Sequence, residues 1–361
     1  MSIDRRKFLQ LSAASAASAA AGALGGCGGV EKIATSGVPR SPFDEDSTAE
    51  EVTEGIDLTG KLALVTGCTS GLGFETMRVL AKRGAMVAGT SRSLERAEEA
   101  CNKVLGATTA IQLELSDFDS VVACANIVRA FTSPLDMLIC NAGYYGGSGE
   151  VERIRGLEKH FVINHLGHYV LVNRLLGRLY MASQGRVVVV SSRAAYTSAP
   201  ETGIEFDQLD GSGEYDDRRA YGHSKLANAL YALQLGKLLK GTRITANALH
   251  PGVINTEIDR HMGGFTQKAF AIASALGAGK TVEQGAATSC FVATHPSLGS
   301  TSSRFFEDCN AVTVANGHLH DEAMAERLWQ VSEQLTRDYL VSHDGADLNE
   351  MERPPEEPAE T

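Results

Sequence analysis

The sequence predicts a doubly wound α/β fold, a single domain with six to seven parallel strands and helices on both faces. Three observations lead there. Apolar, β-rich runs alternate with longer amphipathic stretches from residue 61 onward, which is the rhythm of βαβ units. Several of those runs are apolar on both faces, as strands lying between two helical layers must be. The chain of 361 residues, 43% hydrophobic and 21% charged, has ordinary globular composition and enough apolar mass for one large core.

Taken in order, the candidate strands are 62–67, 85–91, 109–115, 135–141, 186–192 and 243–249, with 303–307 as a last strand. Residues 72–83, 93–105, 117–131, 151–182 and 217–240 read as the intervening helices, and 319–340, which holds the only tryptophan, Trp329, as the closing one. A sheet of this kind binds its ligand in the crevice beyond the carboxyl ends of its strands.

The net charge of −11 gives no basic footprint, so a nucleic-acid partner is not expected. Its distribution divides the chain. Residues 1–27 carry +2, 28–56 carry −5 and 343–361 carry −6, leaving the body at 57–342 with only −2. The two acidic flanks are rich in Pro, Ser, Asp and Glu and poor in apolar residues, so 28–56 reads as a flexible linker and 343–361 as a disordered tail.

The N-terminus opens with Asp4-Arg5-Arg6-Lys7-Phe8-Leu9 and then runs uncharged from Leu11 to Gly26. A basic start followed by a weakly apolar stretch is the layout of an export signal. The paired arginines before Phe-Leu resemble a twin-arginine signal, which implies the twin-arginine export machinery as a partner and a bacterial periplasmic destination. Two processing sites are legible. Leu24-Gly25-Gly26-Cys27 resembles a lipobox, which would anchor the chain to the membrane through lipid on Cys27, and Ala21-Gly22-Ala23 offers an A-x-A cleavage site instead. The seven cysteines show no CxxC pair and no metal-ligand spacing with histidine, so neither a disulfide framework nor a metal site is expected. Cys68 and Cys140, beside strand ends, read as small buried hydrophobes.

Directly after the first strand comes Thr66-Gly67-Cys68-Thr69-Ser70-Gly71-Leu72-Gly73, leading into a helix. Glycines allow a tight turn and a close approach of backbone to a pyrophosphate, and the helix start offers free N–H groups and a positive dipole end. The spacing T-G-x-x-x-G-x-G resembles the short-chain dehydrogenase/reductase family, a Rossmann-type fold, and the resemblance extends through 57–340. It implies that Gly67, Thr69, Ser70, Gly71, Leu72 and Gly73 hold a nicotinamide dinucleotide, with Asn141-Ala142-Gly143 lining it. Where an NAD-preferring member places an acid, this chain has Ser91-Arg92. A hydroxyl and a guanidinium suit a 2′-phosphate, so NADP(H) is expected over NAD(H). Glu114-Leu115 falls at the adenine-side position.

Tyr221 and Lys225, four residues apart in Tyr-Gly-His-Ser-Lys, fall on one helix face. A nearby ammonium and an oxidised nicotinamide would lower the tyrosine pKa from its usual ~10 toward neutrality. Ser191-Ser192 ends a fully apolar strand at the ligand edge of the sheet, where a hydroxyl can polarise a carbonyl. The family resemblance selects Ser192 of the two and adds Asn164, in an N-H-x-G-H segment, as a residue that bridges a water to Lys225. It also adds Pro251-Gly252-Val253 and Thr256 beside the nicotinamide. His165 and His168 are expected to pack or to support the site. The roles that follow are proton exchange by Tyr221, carbonyl polarisation by Ser192, and ribose binding with tuning of Tyr221 by Lys225.

The 28 residues between Ser192 and Tyr221, together with His250-Pro251-Gly252-Val253, Phe305-Phe306-Glu307-Asp308-Cys309 and Leu328-Trp329-Gln330, resemble the retinol dehydrogenase and WW-domain oxidoreductase branch. That branch implies a small apolar aldehyde, ketone or alcohol as substrate, with 253–285 as a lid-like region or a plain packing helix. Relatives often form homo-oligomers. The competing reading is a catalytically idle dinucleotide sensor or envelope scaffold, for which the intact Asn164, Ser192, Tyr221 and Lys225 would be superfluous.

Overall fold

In a computed structural model the described residues are 31–147, 149–254, 279–315 and 317–340. The sheet strands are β1 (Lys32–Ala34), β2 (Leu62–Val65), β3 (Met86–Ser91), β4 (Thr108–Gln112), β5 (Met137–Cys140), β8 (Gly185–Val190), β9 (Ile244–His250), β10 (Phe305–Glu307) and β11 (Asn310–Val314); β6 (Arg153–Ile154) and β7 (Leu157–Glu158) form a separate small hairpin. The spatial order is β1-β11-β10-β9-β8-β5-β2-β3-β4. All pairings from β4 to β10 are parallel. The chain leaves β2 toward β3 on one side and returns to β5 on the other, so the crevice opens at the β2/β5 switch point.

Every residue of β2, β5, β8 and β9 is buried, which explains the unalternating apolar runs of β2, β5 and Val187–Val190. The helices are α1 (Gly71–Lys82), α2 (Leu94–Cys101), α3 (Phe118–Arg129), α4 (Gly167–Tyr180), α5 (Ala194–Thr197), α6 (Asp217–Leu238), α7 (Val282–Thr294) and α8 (Glu322–Thr336). They bury two apolar layers. One holds Phe118, Tyr169, Leu226 and Leu328; the other holds Met77, Leu80, Cys290 and Phe291.

Three expectations need correction. Residues 151–182 are not one helix. The β6/β7 hairpin turns at Arg155 and Gly156, both at positive φ (56° and 81°), a π-helical turn follows at Phe161–Leu166, and only then does α4 begin. Second, the seven parallel strands expected are present, but a sheet of those alone is incomplete: β11 folds back antiparallel to β10, and β1 pairs antiparallel with β11 at the edge. Third, 28–56 is no free linker over its described part. Ala49, Val52 and Thr53 are buried, and Glu50 pairs with Arg78 (2.8 Å) and Lys82 (2.6 Å). A few well-placed apolar residues and a strand pairing are enough to order a segment that is acidic on average. Residues 1–27, the tail at 343–361 and most of the lid-like region, 255–278, lie outside the described residues.

Candidate active site

The Gly-rich turn between β2 and α1 is held from behind by Thr66. Its Oγ1 accepts from the backbone N–H groups of Asn141 and Ala142, both at 2.9 Å, and lies 3.0 Å from Nε2 of His168. The other ring nitrogen of His168 faces the Asn164 carbonyl at 3.1 Å. That carbonyl can only accept, so Nδ1 carries the proton and Nε2 accepts from Thr66. Burial pushes His168 down to about 4, keeping it neutral for this double role. Asn141 completes the brace by donating from Nδ2 to the carbonyls of Thr66 (2.8 Å) and Gly67 (3.3 Å).

Two glycines are required by contact. A Cβ on Gly73 would lie 2.0 Å from the Gly67 carbonyl oxygen, and Gly67 sits at φ +73° with Ala142 3.0 Å from where its Cβ would be. The N-terminus of α1 is left without a side-chain cap, as are α4, which continues a π-helical turn, and the four-residue α5. Side chains of Ser93, Asp117, Asp216, Thr281 and Asp321 cap α2, α3, α6, α7 and α8, whereas Ser70 makes no such bond at α1. Thr69 and Ser70 are exposed there. A glycine cradle beside uncapped N–H groups fits a dinucleotide pyrophosphate.

At the end of β3, Ser91 is half-buried and Arg92 exposed. The Arg92 carbonyl accepts from Gln112 (3.0 Å), and among the described residues its guanidinium holds no ion pair. Glu114 and Leu115 follow the end of β4. The Glu114 carboxylate accepts from the backbone N–H and hydroxyl of Ser116 (3.0 and 2.7 Å), and Leu115 is a core residue against Gly167. Pro251 is buried, Gly252 turns at φ +99° and Val253 is exposed, while Thr256 lies outside the described residues.

The catalytic candidates converge. Tyr221 and Lys225 share one face of α6, with Nζ of Lys225 5.6 Å from the Tyr221 ring centre. That ammonium donates to the Val190 carbonyl at 3.0 Å, at the mouth of β8, and burial lowers Lys225 to about 8. Ser191 and Ser192 diverge. Ser191 Oγ is buried and donates to the Lys225 carbonyl (2.7 Å), while Ser192 lies close enough to the Tyr221 phenol to lower its pKa and accepts from Ala194 N–H (3.2 Å). Ser192 is therefore the serine of the pair that faces the Tyr221 phenol. With the protein's own groups alone, burial pushes Tyr221 up to about 12, against the lowering by Ser192 and with Tyr145 adding to the rise. The expected lowering combines the Lys225 ammonium with an oxidised nicotinamide and so applies to the dinucleotide-loaded site.

Asn164, fully buried in the π-helical turn, clamps Tyr144 from both sides, accepting from its N–H (2.6 Å) and donating to its carbonyl (2.9 Å). It also donates to Ser224 (2.9 Å). A Cβ on Gly143 would stand 3.3 Å from Lys225 Nζ and 3.5 Å from Asn164 Oδ1, so the Asn141-Ala142-Gly143 segment passes directly over the lysine. Sequence reasoning missed Thr66, the aromatic wall of Tyr144 and Tyr145, and the buried Glu158–His160 pair (2.8 Å) beside it. The two tyrosines directly after Asn141-Ala142-Gly143 were the available signal.

The description short chain dehydrogenase fits residues 61–204 by family model. The chain is 36% identical over 315 residues to "Short-chain dehydrogenase TIC 32 A, chloroplastic" of Brassica napus, covering 84% of this chain and 97% of that protein. It belongs to the short-chain dehydrogenase/reductase family.

Within that family it is 37% identical to retinol dehydrogenase 12 of Mus musculus (78% of this chain, 88% of the relative). It is 35% identical to the WW domain-containing oxidoreductase of Gallus gallus (83% and 74%). Among solved structures, an uncharacterised protein from Mycobacterium paratuberculosis aligns with a TM-score of 0.62 at 29% identity, covering 79% of this chain and 97% of that one. The Pseudomonas aeruginosa RhlG/NADP active-site complex aligns at 0.57 and 25%, covering 69% and 95%. Like its family, this short-chain dehydrogenase/reductase is an oxidoreductase acting on CH–OH groups.

Proposed function

We propose that this enzyme uses NADP(H) to interconvert an apolar aldehyde or ketone with its alcohol, with Tyr221 as the general acid/base. The observation that carries the reading is the convergence of Ser192 on the Tyr221 phenol while Lys225 is fixed beneath it at the mouth of β8. Retinol dehydrogenase 12, by its name, acts on an apolar alcohol, and the RhlG structure is an NADP complex; both support the substrate class and the cofactor. The bound dinucleotide supplies or accepts hydride.

This chain's residues do the rest. The α1 N-terminus and the Gly67–Gly73 cradle bind the pyrophosphate, and Ser91 and Arg92 engage the 2′-phosphate. Ser192 donates to the substrate oxygen, and Tyr221 delivers the proton on reduction or takes it on oxidation. Lys225 holds the ribose and favours the phenolate. NADPH oxidation by residues 28–361, followed against aldehydes and ketones of increasing chain length, tests the reading; tight NADPH binding without turnover on any carbonyl contradicts it and favours the sensing role.

We also propose export through the twin-arginine route, on the strength of Arg5-Arg6 and the uncharged run that follows. Mass spectrometry of the exported protein tests the anchoring step. A diacylated Cys27 at the N-terminus supports the lipobox, and an unmodified N-terminus refutes it.

A further inference from the structure

Glu307 ends β10 with its carboxylate buried, in parallel register with His250. It accepts from the phenol of Tyr196 (2.6 Å) on one side and from the ammonium of Lys32 on the other. Among the described residues Lys32 is the only cation paired with it. A buried carboxylate stripped of its cation is costly and must protonate, recruit water or move. Lys32 is itself anchored, since β1 pairs Lys32, Ile33 and Ala34 with Val314, Thr313 and Val312, and its Nζ lies 5.6 Å from the Tyr196 ring centre.

Tyr196 belongs to α5, the short helix that grows out of the catalytic serine. Ala194 N–H donates to Ser192 Oγ (3.2 Å) and Ala195 N–H to the Ser192 carbonyl (3.1 Å). On its other side α5 presses on α6 at Gly222, the residue after Tyr221. A Cβ there would lie 2.5 Å from Ala199 N and 2.9 Å from the Ala194 carbonyl oxygen. The α5 helix is thus wedged between Ser192 and the helix carrying Tyr221, and the Tyr196–Glu307 bond ties it to the sheet.

We propose that Lys32, on a strand upstream of the family-model match at 61–204, is a positioning residue that holds Ser192 against Tyr221 through Glu307 and Tyr196. The inference rests on the proposed role of Ser192 in polarising the substrate carbonyl. It gives the N-terminal strand a positioning duty: the segment supplies the cation that pairs with Glu307 and keeps Tyr196 bound to it.

The test compares Lys32→Met, Lys32→Arg and the double variant Lys32→Met/Glu307→Gln with the parent. Three readouts are followed: amide hydrogen exchange across 194–199, dinucleotide affinity, and kcat separately from KM. Lys32→Met should speed exchange across 194–199 and lower kcat by roughly tenfold or more, as small misplacements of reacting groups do, with dinucleotide affinity unchanged. Lys32→Arg should restore both, and the double variant should recover protection because no charged carboxylate remains to be satisfied. Unchanged exchange in Lys32→Met, or Lys32→Arg no better than Lys32→Met, would overturn the proposal. Should Lys32→Met not fold, the double variant and Lys32→Arg decide by the same exchange readout. Absence of turnover in the parent chain would refute the enzymatic reading, and the exchange readout would still decide the fate of Lys32.

Discussion

Ser191 donates its hydroxyl to the main-chain carbonyl of Lys225 at 2.7 Å, and that single bond separates two adjacent serines into different jobs. Ser191 fastens the end of β8 to the catalytic helix, which leaves Ser192 to face Tyr221. Ser191→Ala should therefore cost about 1 kcal/mol of stability and little catalysis. Ser192→Ala should leave stability nearly unchanged while lowering kcat by roughly 10²-fold. Denaturant melts and steady-state rates on the two variants check this, and equal kinetic losses would contradict it.

Ser192 also lowers the Tyr221 pKa, which burial otherwise raises to about 12. Removing the Ser192 hydroxyl takes away a group that favours the phenolate, so the phenol should titrate still higher in Ser192→Ala. Ultraviolet titration of tyrosinate absorbance, differenced against Tyr221→Phe, reads the shift directly. A downward move would mean that Ser192 does not favour the phenolate.

The cofactor cradle has no room at Gly73, where a Cβ would meet a backbone carbonyl at 2.0 Å. Gly73→Ala must displace either the Gly67 turn or the start of α1, so dinucleotide affinity should fall by more than about tenfold in a fluorescence titration. Arg92 stands exposed at the end of β3 and is expected to act only on the 2′-phosphate. Arg92→Ala should weaken NADPH binding while sparing NADH; an unchanged ratio of the two affinities would remove the basis for the cofactor preference.

Four buried histidines set the acid limit. Burial, the leading cause in each, lowers His165 to about 3, His168 to about 4, His223 to about 4 and His250 to about 3. Below the ordinary histidine value of ~6.5 the unfolded chain binds protons that the folded chain refuses. Stability is therefore full above about pH 6.5 and declines as pH falls toward 4. The melting temperature should drop steadily over that window, and a flat profile would show that these rings are hydrated or charged in the folded state.

Much of this was legible in the sequence, and the parts that were not share physical causes. Strands buried on both faces and a Gly-rich turn are local signals, which is why β2, β8 and the cradle were readable. The β10–β11 hairpin turns through Asp308 and Cys309 at φ 48° and 57°, a conformation usually marked by Asn-Gly or Asp-Gly, so its turn left no signature. β1 is three exposed residues and exists only because β11 offers an edge. The hydrogen bond from Thr66 to His168 spans 102 positions, and no spacing rule reaches that far. Tyr221, Lys225, Ser192 and Asn164 were found because their order along the chain is itself the pattern.

The most direct measurement is Tyr221→Phe, assayed for NADPH binding and for carbonyl reduction on the same preparation. Binding should stay close to that of the parent, with turnover reduced by at least ~10²-fold. Retained turnover would show that another group moves the proton, and would contradict the assignment of this site.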